Sequence, residues 1–234
     1  IVTCAYGQII PKAILDFPEY RCINVHASLL PKLRGGAPIH KAIIENYLRT
    51  GITIMYMVEK MDAGDILAQK ETVIKNDDTV GTLHDRLSLM GRELLLETIP
   101  DLIAGKITPI PQNEEEVTYA WNIKREEEKI DFTKGTLDIY NQIRGLNPFP
   151  GAYATLDGKI VKIYASRISE SFFTTKKDGE IGKVYEDGIG VSTKDGEIIL
   201  TEIQFEGKKR MKVKDFFHGF DGEKLVGKIF NEEK

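Results

Sequence analysis

The sequence predicts an α/β protein in which an open, mostly parallel sheet is followed by a small β-barrel. In the first half, short apolar runs alternate with helical patterns, which is typical of a doubly wound, Rossmann-like sheet. From residue 152 onward, short alternating runs are separated by Gly- and Asp-containing turns, which indicates an all-β domain. The runs are too few for an immunoglobulin-type sandwich, so we expect a barrel of the OB type.

The elements of the first half follow from their residue patterns. Three β-prone runs are predicted as strands, at Ile1–Tyr6, Cys22–Val25 and Asp65–Val73. Gly51–Val58 is nearly continuous in apolar residues, as a strand covered on both faces is. Pro38–Tyr47 has apolar residues at helical spacing. The longest helical pattern is Thr79–Ala104, with a threonine suited to cap its start and Gly105 to end it.

The second half is separated from the first by a change in composition. Residues 108–128 are polar and acidic and contain two prolines, which is typical of a linker. A short helix over Thr136–Leu146 is expected before the turn NPFPG, and strands are expected at AYATL, IVKIYAS, GKVYE, GIGVST and EIILTEIQF. We therefore predict a first domain over 1–110, a linker over 111–129 and a second domain over 130–234.

Composition excludes several classes of protein. The chain is 41% hydrophobic and 29% charged, as ordinary globular proteins are, and no apolar run approaches the roughly 20 residues of a membrane span. Cys4 and Cys22 have no metal-binding spacing, which fits a reducing cytoplasm. The net charge of −4 argues against nonspecific coating of nucleic acid. Residues 151–234 hold 15 basic and 15 acidic side chains, so the first 150 residues carry that charge.

The segment INVHASLLPKLRGGAPIH contains the first candidate site. In a strand ending near Val25, side chains alternate with period two, so Asn24 and His26 point to the same side. They emerge where an open α/β sheet places its ligands, at the carboxyl end of a strand. An amide donor beside an imidazole suits the stabilisation of negative charge on a carbonyl oxygen. The alternative is that both side chains only satisfy backbone groups.

The segment EKMDAGDIL contains the second candidate site. It follows the strand GITIMYMV and places Asp62 and Asp65 on a glycine-containing loop. A metal site is disfavoured because the four histidines are scattered through the chain. A carboxylate that orients an imidazole is the favoured interpretation.

Both segments carry a family resemblance. NVHASLLPKLRGGAPIHKAI and GITIMYMVEKMDAGDIL resemble the folate-dependent formyltransferases. The family's Asn-x-His and Ser-Leu-Leu-Pro elements match 24–26 and 28–31, and its Leu-Asp-x-Gly element matches 61–64, with Met for Leu, which favours Asp62 over Asp65. The later segments NPFPGAY and GKKRMKVKDF resemble the members that act on methionyl-tRNA. The family's first strands have no counterpart, so we expect the chain to lack its N-terminal part.

The resemblance implies an enzyme of translation initiation. Such an enzyme transfers the formyl group of 10-formyltetrahydrofolate to the α-amino group of methionyl initiator tRNA. Asn24 and His26 would stabilise the oxyanion, and Asp62 would hold His26. The folate is expected against Tyr6, Gly7, Gln8, Ile9, Ile10, Ser28, Leu29, Leu30 and Pro31. We further expect a cytoplasmic protein, a monomer, without a bound metal or a membrane contact.

Basic residues are the candidates for tRNA binding. If Arg210–Lys214 is a strand, its three basic side chains share one face, which suits an RNA backbone. A solvated charged face is the alternative. The candidates are Arg34, Lys124, Arg125, Lys208, Lys209, Arg210, Lys212 and Lys214.

Other functions stay open at this point. A formyltransferase acting on an amino-sugar nucleotide is one alternative, because such enzymes can carry a related extension. One acting on glycinamide ribonucleotide lacks the second domain, so residues 130–234 count against it. A hydrolase that forms formate shares the catalytic residues. A non-catalytic RNA-binding protein is disfavoured by the intact set of Asn24, His26 and Asp62.

Overall fold

The structure, a computed structural model, describes residues 1–170 and 176–232. By their contacts, the residues form two units. The first consists of Ile1–Ala42 and Tyr47–Ile123, and the second of Ile43–Asn46 and Lys124–Lys234. The division into domains over 1–110 and 130–234 with a linker between them stays a prediction.

The first unit contains a four-stranded mixed sheet in the order β1-β2-β3-β4. Its strands are β1 Val2–Cys4, β2 Ile23–His26, β3 Arg49–Tyr56 and β4 Ile66–Val73. Only β1 and β2 pair in parallel; β2–β3 and β3–β4 are antiparallel. The prediction of a mostly parallel sheet is therefore wrong for these strands. The apolar run that suggested it reflects burial of β3 on both faces, which does not depend on the direction of its neighbours.

The three helices of the first unit are α1 Lys12–Leu15, α2 Pro38–Ile44 and α3 Val80–Ile103. Two of them, α2 and α3, lie close to the predicted residues, and the short α1 was not predicted. The hydroxyl of Thr79 accepts a hydrogen bond from the Thr82 N–H (3.2 Å), and the Thr82 hydroxyl accepts one from the Thr79 N–H (3.0 Å), which caps α3. Gly91 of α3 lies directly against Val25, so the helix packs closely on β2.

The second unit contains a six-stranded antiparallel sheet. Its order is β5-β6-β9-β8-β7, with β10 paired to β9. The strands are β5 Ala152–Leu156, β6 Lys159–Ile168, β7 Ile181–Tyr185, β8 Gly188–Thr193, β9 Gly196–Phe205 and β10 Met211–Lys212. The helices are α4 Arg125–Glu128, α5 Thr136–Gly145 and α6 Val213–Phe216. Single turns of 3-10 helix occur at Glu114–Glu116 in the first unit and at Gly222–Leu225 in the second.

The predicted OB-type barrel is not confirmed. Within residues 1–170 and 176–232, no ladder joins β5 to β7 to close the sheet. Other segments occupy the outer edges. Ile130 N–H donates to the Tyr153 carbonyl beside β5 (2.8 Å), and Ile181 N–H donates to the Lys228 carbonyl beside β7 (2.8 Å). The run of short strands predicts the ladder but not which segments cover its edges.

The strand predicted over Arg210–Lys214 is also wrong in part. Strand β10 ends at Lys212, and a helical turn begins at Val213, whose side chain is buried. Lys214 therefore lies on α6, so the three basic residues do not share one strand face.

No helix of the described residues is long and apolar enough to cross a membrane.

Candidate active site

The end of β2 provides the centre of the site. Val25 packs against α3, and alternation along the strand directs Asn24 and His26 to the opposite face. The neighbouring strand holds Asn24: the Thr3 hydroxyl donates to Asn24 Oδ1 at 2.8 Å. Because Thr3 binds the oxygen, the amide presents its N–H donors on the other side. Thr3 was not predicted as a site residue, although its place in β1 opposite Asn24 follows from the register.

The imidazole of His26 lies between a carbonyl and a carboxylate. It is 6% exposed, and its Nε2 is 3.0 Å from the Leu33 carbonyl oxygen. Its Nδ1 is 3.7 Å from Asp62 Oδ2. The carbonyl can only accept, so it fixes the hydrogen of the ring on Nε2. Nδ1 is consequently the nitrogen left for exchange of a proton.

Asp62 lies on the loop between β3 and β4, with a backbone φ of 49°. Its side chain is 15% exposed, and Oδ2 accepts a hydrogen bond from the Gly35 N–H at 2.8 Å. The structure thus brings His26 and Asp62 together from two separate segments. A catalytic role for Asn24, His26 and Asp62 stays a prediction. Asp65 contributes through its backbone, whose carbonyl accepts from the Tyr56 N–H at 3.0 Å.

Residues 33–37, which we call the glycine loop, contact both members of this pair. The carbonyl of Leu33 binds His26, and the N–H of Gly35 binds Asp62. Gly35 has a φ of 121°, and a Cβ there would lie 2.6 Å from the Ala120 carbonyl oxygen. Any other residue at this position would displace the loop.

Gln112 links the glycine loop to the Asp62 loop. Its Nε2 donates to the carbonyls of Asp62 and Gly64, each at 2.8 Å. Its Oε1 accepts from Arg34 Nε at 3.0 Å and Nη2 at 2.8 Å. The sequence analysis missed Gln112 because it lies in the polar segment interpreted as a linker, and no spacing there indicates a contact with the two loops.

Arg34 is fully buried, at 0% exposure. Besides Gln112, it donates from Nη2 to Glu114 Oε1 at 2.9 Å, and Lys60 Nζ contacts Glu114 Oε2 at 2.6 Å. Hydrogen bonds from Lys60 and from Arg34 lower the pKa of Glu114. The burial of Arg34 makes it an internal support of the two loops. The contact of Arg34 with tRNA that was expected from the sequence stays a prediction.

The residues predicted to bind folate fall into two groups. Residues 6–9 are exposed and form no helix or strand, and Ile10 is half-buried. In the second group, Ser28 and Leu30 are buried, and the Ser28 hydroxyl donates to the Lys32 carbonyl at 2.6 Å. Leu30 packs with Met55 and Ile66. Leu29 and Pro31 are half-buried. Folate binding by both groups stays a prediction.

The basic residues predicted to bind tRNA in the second unit differ in their surroundings. Arg210 is held by Glu202 (Nη2 to Oε2, 2.7 Å) and lies 4.1 Å over the ring of Tyr164. Arg125 pairs with Glu128 and lies 3.9 Å over the ring of Tyr153. The remaining side chains are exposed, at Lys124, Lys208, Lys209, Lys212 and Lys214.

Among residues 1–170 and 176–232, no group of three or more His, Cys, Asp or Glu side chains is placed to hold a metal ion. The polar groups that the site does offer are the N–H donors of the Asn24 amide and the Nδ1 atom of His26, which can take up a proton. Amide and imidazole donors at a strand end suit a carbonyl substrate, in which charge develops on oxygen.

Comparison with known proteins identifies the relatives of the chain. Residues 1–99 match the family described as formyl transferase, and residues 122–221 match its C-terminal domain. Over 236 residues the chain is 56% identical to methionyl-tRNA formyltransferase of Geobacillus sp. (strain WCH70), covering 100% of this chain and 73% of that protein. It is also 56% identical over 220 residues to methionyl-tRNA formyltransferase of Bacillus subtilis (strain 168), covering 94% and 69%.

Solved structures share the fold. HypX from Aquifex aeolicus in complex with tetrahydrofolic acid superposes with a TM-score of 0.71 at 19% identity, over 92% of this chain and 38% of that chain. An N-formyltransferase from Helicobacter canadensis, in complex with folinic acid and dTDP-3-aminofucose, superposes with a TM-score of 0.62 at 25% identity, over 76% and 65%. The family matches extend over both units, and the two relatives share more than half of their aligned residues with the chain. The chain therefore belongs to the formyl transferase family, and within it to the methionyl-tRNA formyltransferases.

Proposed function

We propose that this protein transfers the formyl group of 10-formyltetrahydrofolate to the α-amino group of methionyl initiator tRNA. One observation carries the proposal: relatives that bear the name methionyl-tRNA formyltransferase are 56% identical to the chain, over 94% to 100% of it. The arrangement at the end of β2 supports the chemistry, because an amide and a carboxylate-paired imidazole lie at one strand end.

The first step is attack of the neutral amine on the formyl carbon. A C–N bond forms, and the carbonyl oxygen takes up the negative charge of a tetrahedral intermediate. Asn24 is the donor suited to this oxygen, since Thr3 already occupies the amide oxygen and leaves the N–H groups for the substrate. A donor of this kind contributes about 3–4 kcal/mol to stabilising the transition state.

The second step breaks the bond between the formyl carbon and N10 of the folate. The amine loses a proton, and the leaving nitrogen gains one. His26 can carry this proton on Nδ1, because Leu33 holds Nε2 and Asp62 lies 3.7 Å from Nδ1. Asp62 offsets the positive charge of the ring, and its bond to Gly35 keeps the carboxylate in place.

Binding of the two substrates is assigned to different parts of the chain. The folate is assigned to the exposed residues 6–9, to the half-buried Ile10 and to the backbone of 59–64, the loop that carries Asp62. For the tRNA, the exposed lysines at 208, 209, 212 and 214 suit contacts with phosphates, which supply affinity without reading sequence. We place the reaction in the cytoplasm, where initiator tRNA is charged.

The test is an assay of formyl transfer. The protein is given 10-formyltetrahydrofolate and methionyl initiator tRNA, and formylmethionine is measured after hydrolysis of the ester. Formylmethionine should appear in proportion to the charged tRNA. Formate released at the same rate without an acceptor would instead indicate a hydrolase and would overturn the proposal.

A formyltransferase acting on an amino-sugar nucleotide is the second candidate. It is favoured by the likeness to the Helicobacter canadensis enzyme, whose structure contains dTDP-3-aminofucose. The same assay with this nucleotide in place of the tRNA separates the two functions, because the formyl group is then found on the sugar nucleotide and not on methionine. Glycinamide ribonucleotide is tested as the third acceptor in the same assay.

A further inference from the structure

Two large aromatic side chains of the first unit are exposed. Tyr119 is 42% exposed and Trp121 is 58% exposed. Their rings stack with centroids 5.1 Å apart and planes inclined by 7°. We call this pair the aromatic platform. An exposed aromatic pair lacks the burial that normally stabilises such side chains, and exposed apolar surface of this kind indicates a binding role.

The platform lies on a segment that is hydrogen-bonded to the glycine loop. The Arg34 N–H donates to the Thr118 carbonyl at 2.9 Å, and the Ala120 N–H donates to the Arg34 carbonyl at 2.7 Å. The Ala37 N–H then donates to the Ala120 carbonyl at 3.0 Å. The glycine loop also binds His26 and Asp62. The glycine loop thus lies between the platform segment and the side chains of His26 and Asp62, and it is hydrogen-bonded to both.

Alternation along this segment sorts its side chains. Ala120 is fully buried beneath the glycine loop. Tyr119 and Trp121, on either side of it in sequence, point away from that buried face toward solvent. The platform therefore offers a flat aromatic surface beside the site without being part of its core.

We propose that the aromatic platform stacks on an unpaired base at the 3′ end of the tRNA substrate. This inference rests on the proposed function, in which the reacting amine is joined by a single ester to the terminal ribose. The terminal nucleotide must then lie close to the end of β2, and the nucleotides before it must approach along the surface beside the site. Stacking suits an unpaired, single-stranded end, because every base has a π-face and no sequence-specific donor is needed.

The platform carries its own probe, because Trp121 is the single tryptophan of the chain. Uncharged initiator tRNA is titrated into the protein while tryptophan fluorescence is followed. The matched ligand is the same tRNA without its three unpaired 3′ nucleotides. Saturable quenching by the complete tRNA, and little quenching by the truncated tRNA, is the expected result. Equal quenching by both, or unchanged fluorescence at concentrations where filter retention shows binding, overturns the proposal.

Variants give a second measurement. Trp121→Ala should raise KM for methionyl-tRNA about tenfold or more with kcat nearly retained, and Trp121→Phe should restore most of the affinity. Tyr20→Ala is the matched control, because Tyr20 is as exposed as Tyr119 and belongs to the same unit. A fall in kcat at unchanged KM would assign Trp121 to support of the glycine loop and would overturn the proposal.

Failure of the proposed function gives a different pattern. If the wild-type protein formylates another acceptor and not methionyl-tRNA, the activity assay fails for every variant alike. Quenching that requires the 3′ nucleotides would still identify the platform as a site for a nucleotide base. Quenching by tetrahydrofolate alone at its own saturating concentration would instead assign the platform to the folate and overturn the proposal.

Discussion

Replacement of Asp62 by asparagine removes the negative charge of the side chain and keeps its shape. The Asn side chain keeps an oxygen that can accept the bond now donated by the Gly35 N–H at 2.8 Å. The loop should therefore keep its conformation. What is lost is the interaction between the carboxylate and a proton on His26 Nδ1, 3.7 Å away.

The size of this loss follows from the distance. At 3.7 Å and an effective dielectric constant of about 20, a carboxylate and an imidazolium attract each other by about 4 kcal/mol. Both side chains are largely buried, so screening by solvent is limited. If half to all of this interaction energy stabilises the transition state, its loss in Asp62→Asn lowers kcat/KM roughly 30- to 1000-fold.

The assay compares Asp62→Asn with Asp65→Asn, a control on the same loop whose backbone carbonyl holds Tyr56. Initial rates of formyl transfer are measured for both, and thermal unfolding confirms that both variants fold. Asp65→Asn should stay within a few-fold of the wild type. If Asp62→Asn also does so, the carboxylate does not act on His26 and the assignment of the pair is wrong.

Three further predictions concern support, stability and RNA binding. Gln112→Leu removes two donors to loop carbonyls and one acceptor for a buried guanidinium, so kcat should fall about tenfold or more at nearly unchanged KM. Asp78→Asn should lower the free energy of unfolding at pH 7 by about 2–4 kcal/mol, because Arg86 loses its buried partner. Burial raises the pKa of Asp78, but hydrogen bonds to its carboxylate, chiefly from Arg86, outweigh burial and lower the pKa overall. The stabilisation by the ion pair is therefore present above about pH 4 and is lost as the pH falls further. Lys208→Glu with Lys209→Glu should weaken tRNA binding and flatten its dependence on salt.

Each of these has a contradicting result. Wild-type kinetics for Gln112→Leu would mean that the two loops hold their geometry without it. A difference in unfolding temperature between the wild type and Asp78→Asn that stays constant from pH 7 to pH 2 would contradict the ion pair with Arg86 as its source. If tRNA binding by the double lysine variant depends on salt concentration as in the wild type, neither lysine contacts the tRNA.

The pairing of His26 with Asp62 could be predicted because both belong to short, recognisable segments, although β2 and β3 are antiparallel and their carboxyl ends lie at opposite edges of the sheet. The period of a strand directs Asn24 and His26 to one side, and this depends only on local geometry. The same holds for α3, whose capping threonine and apolar stripe lie in one continuous stretch. Local patterns of this kind survive in any arrangement of the surrounding strands.

The support of the site could not be predicted, because it depends on contacts between segments far apart in the chain. Gln112 reaches carbonyls about fifty residues earlier, and its own surroundings are polar and irregular. Arg34 has the sequence context of an exposed loop arginine, yet Gln112 and Glu114 bury it. The direction of the strands could not be predicted either, since the apolar content of β3 is equally compatible with parallel and antiparallel neighbours.

The bonds between the glycine loop and residues 118–120 also determine where this protein can be cut and recombined. The two family matches end at residue 99 and resume at residue 122, so a chimera designed from them alone could be joined anywhere between. A junction just after α3 would take Gln112 and the segment 118–120 from a foreign parent. A junction between Ile123 and Lys124 keeps them with the loop that they support. Exchange of second domains among relatives should therefore preserve activity only with the later junction.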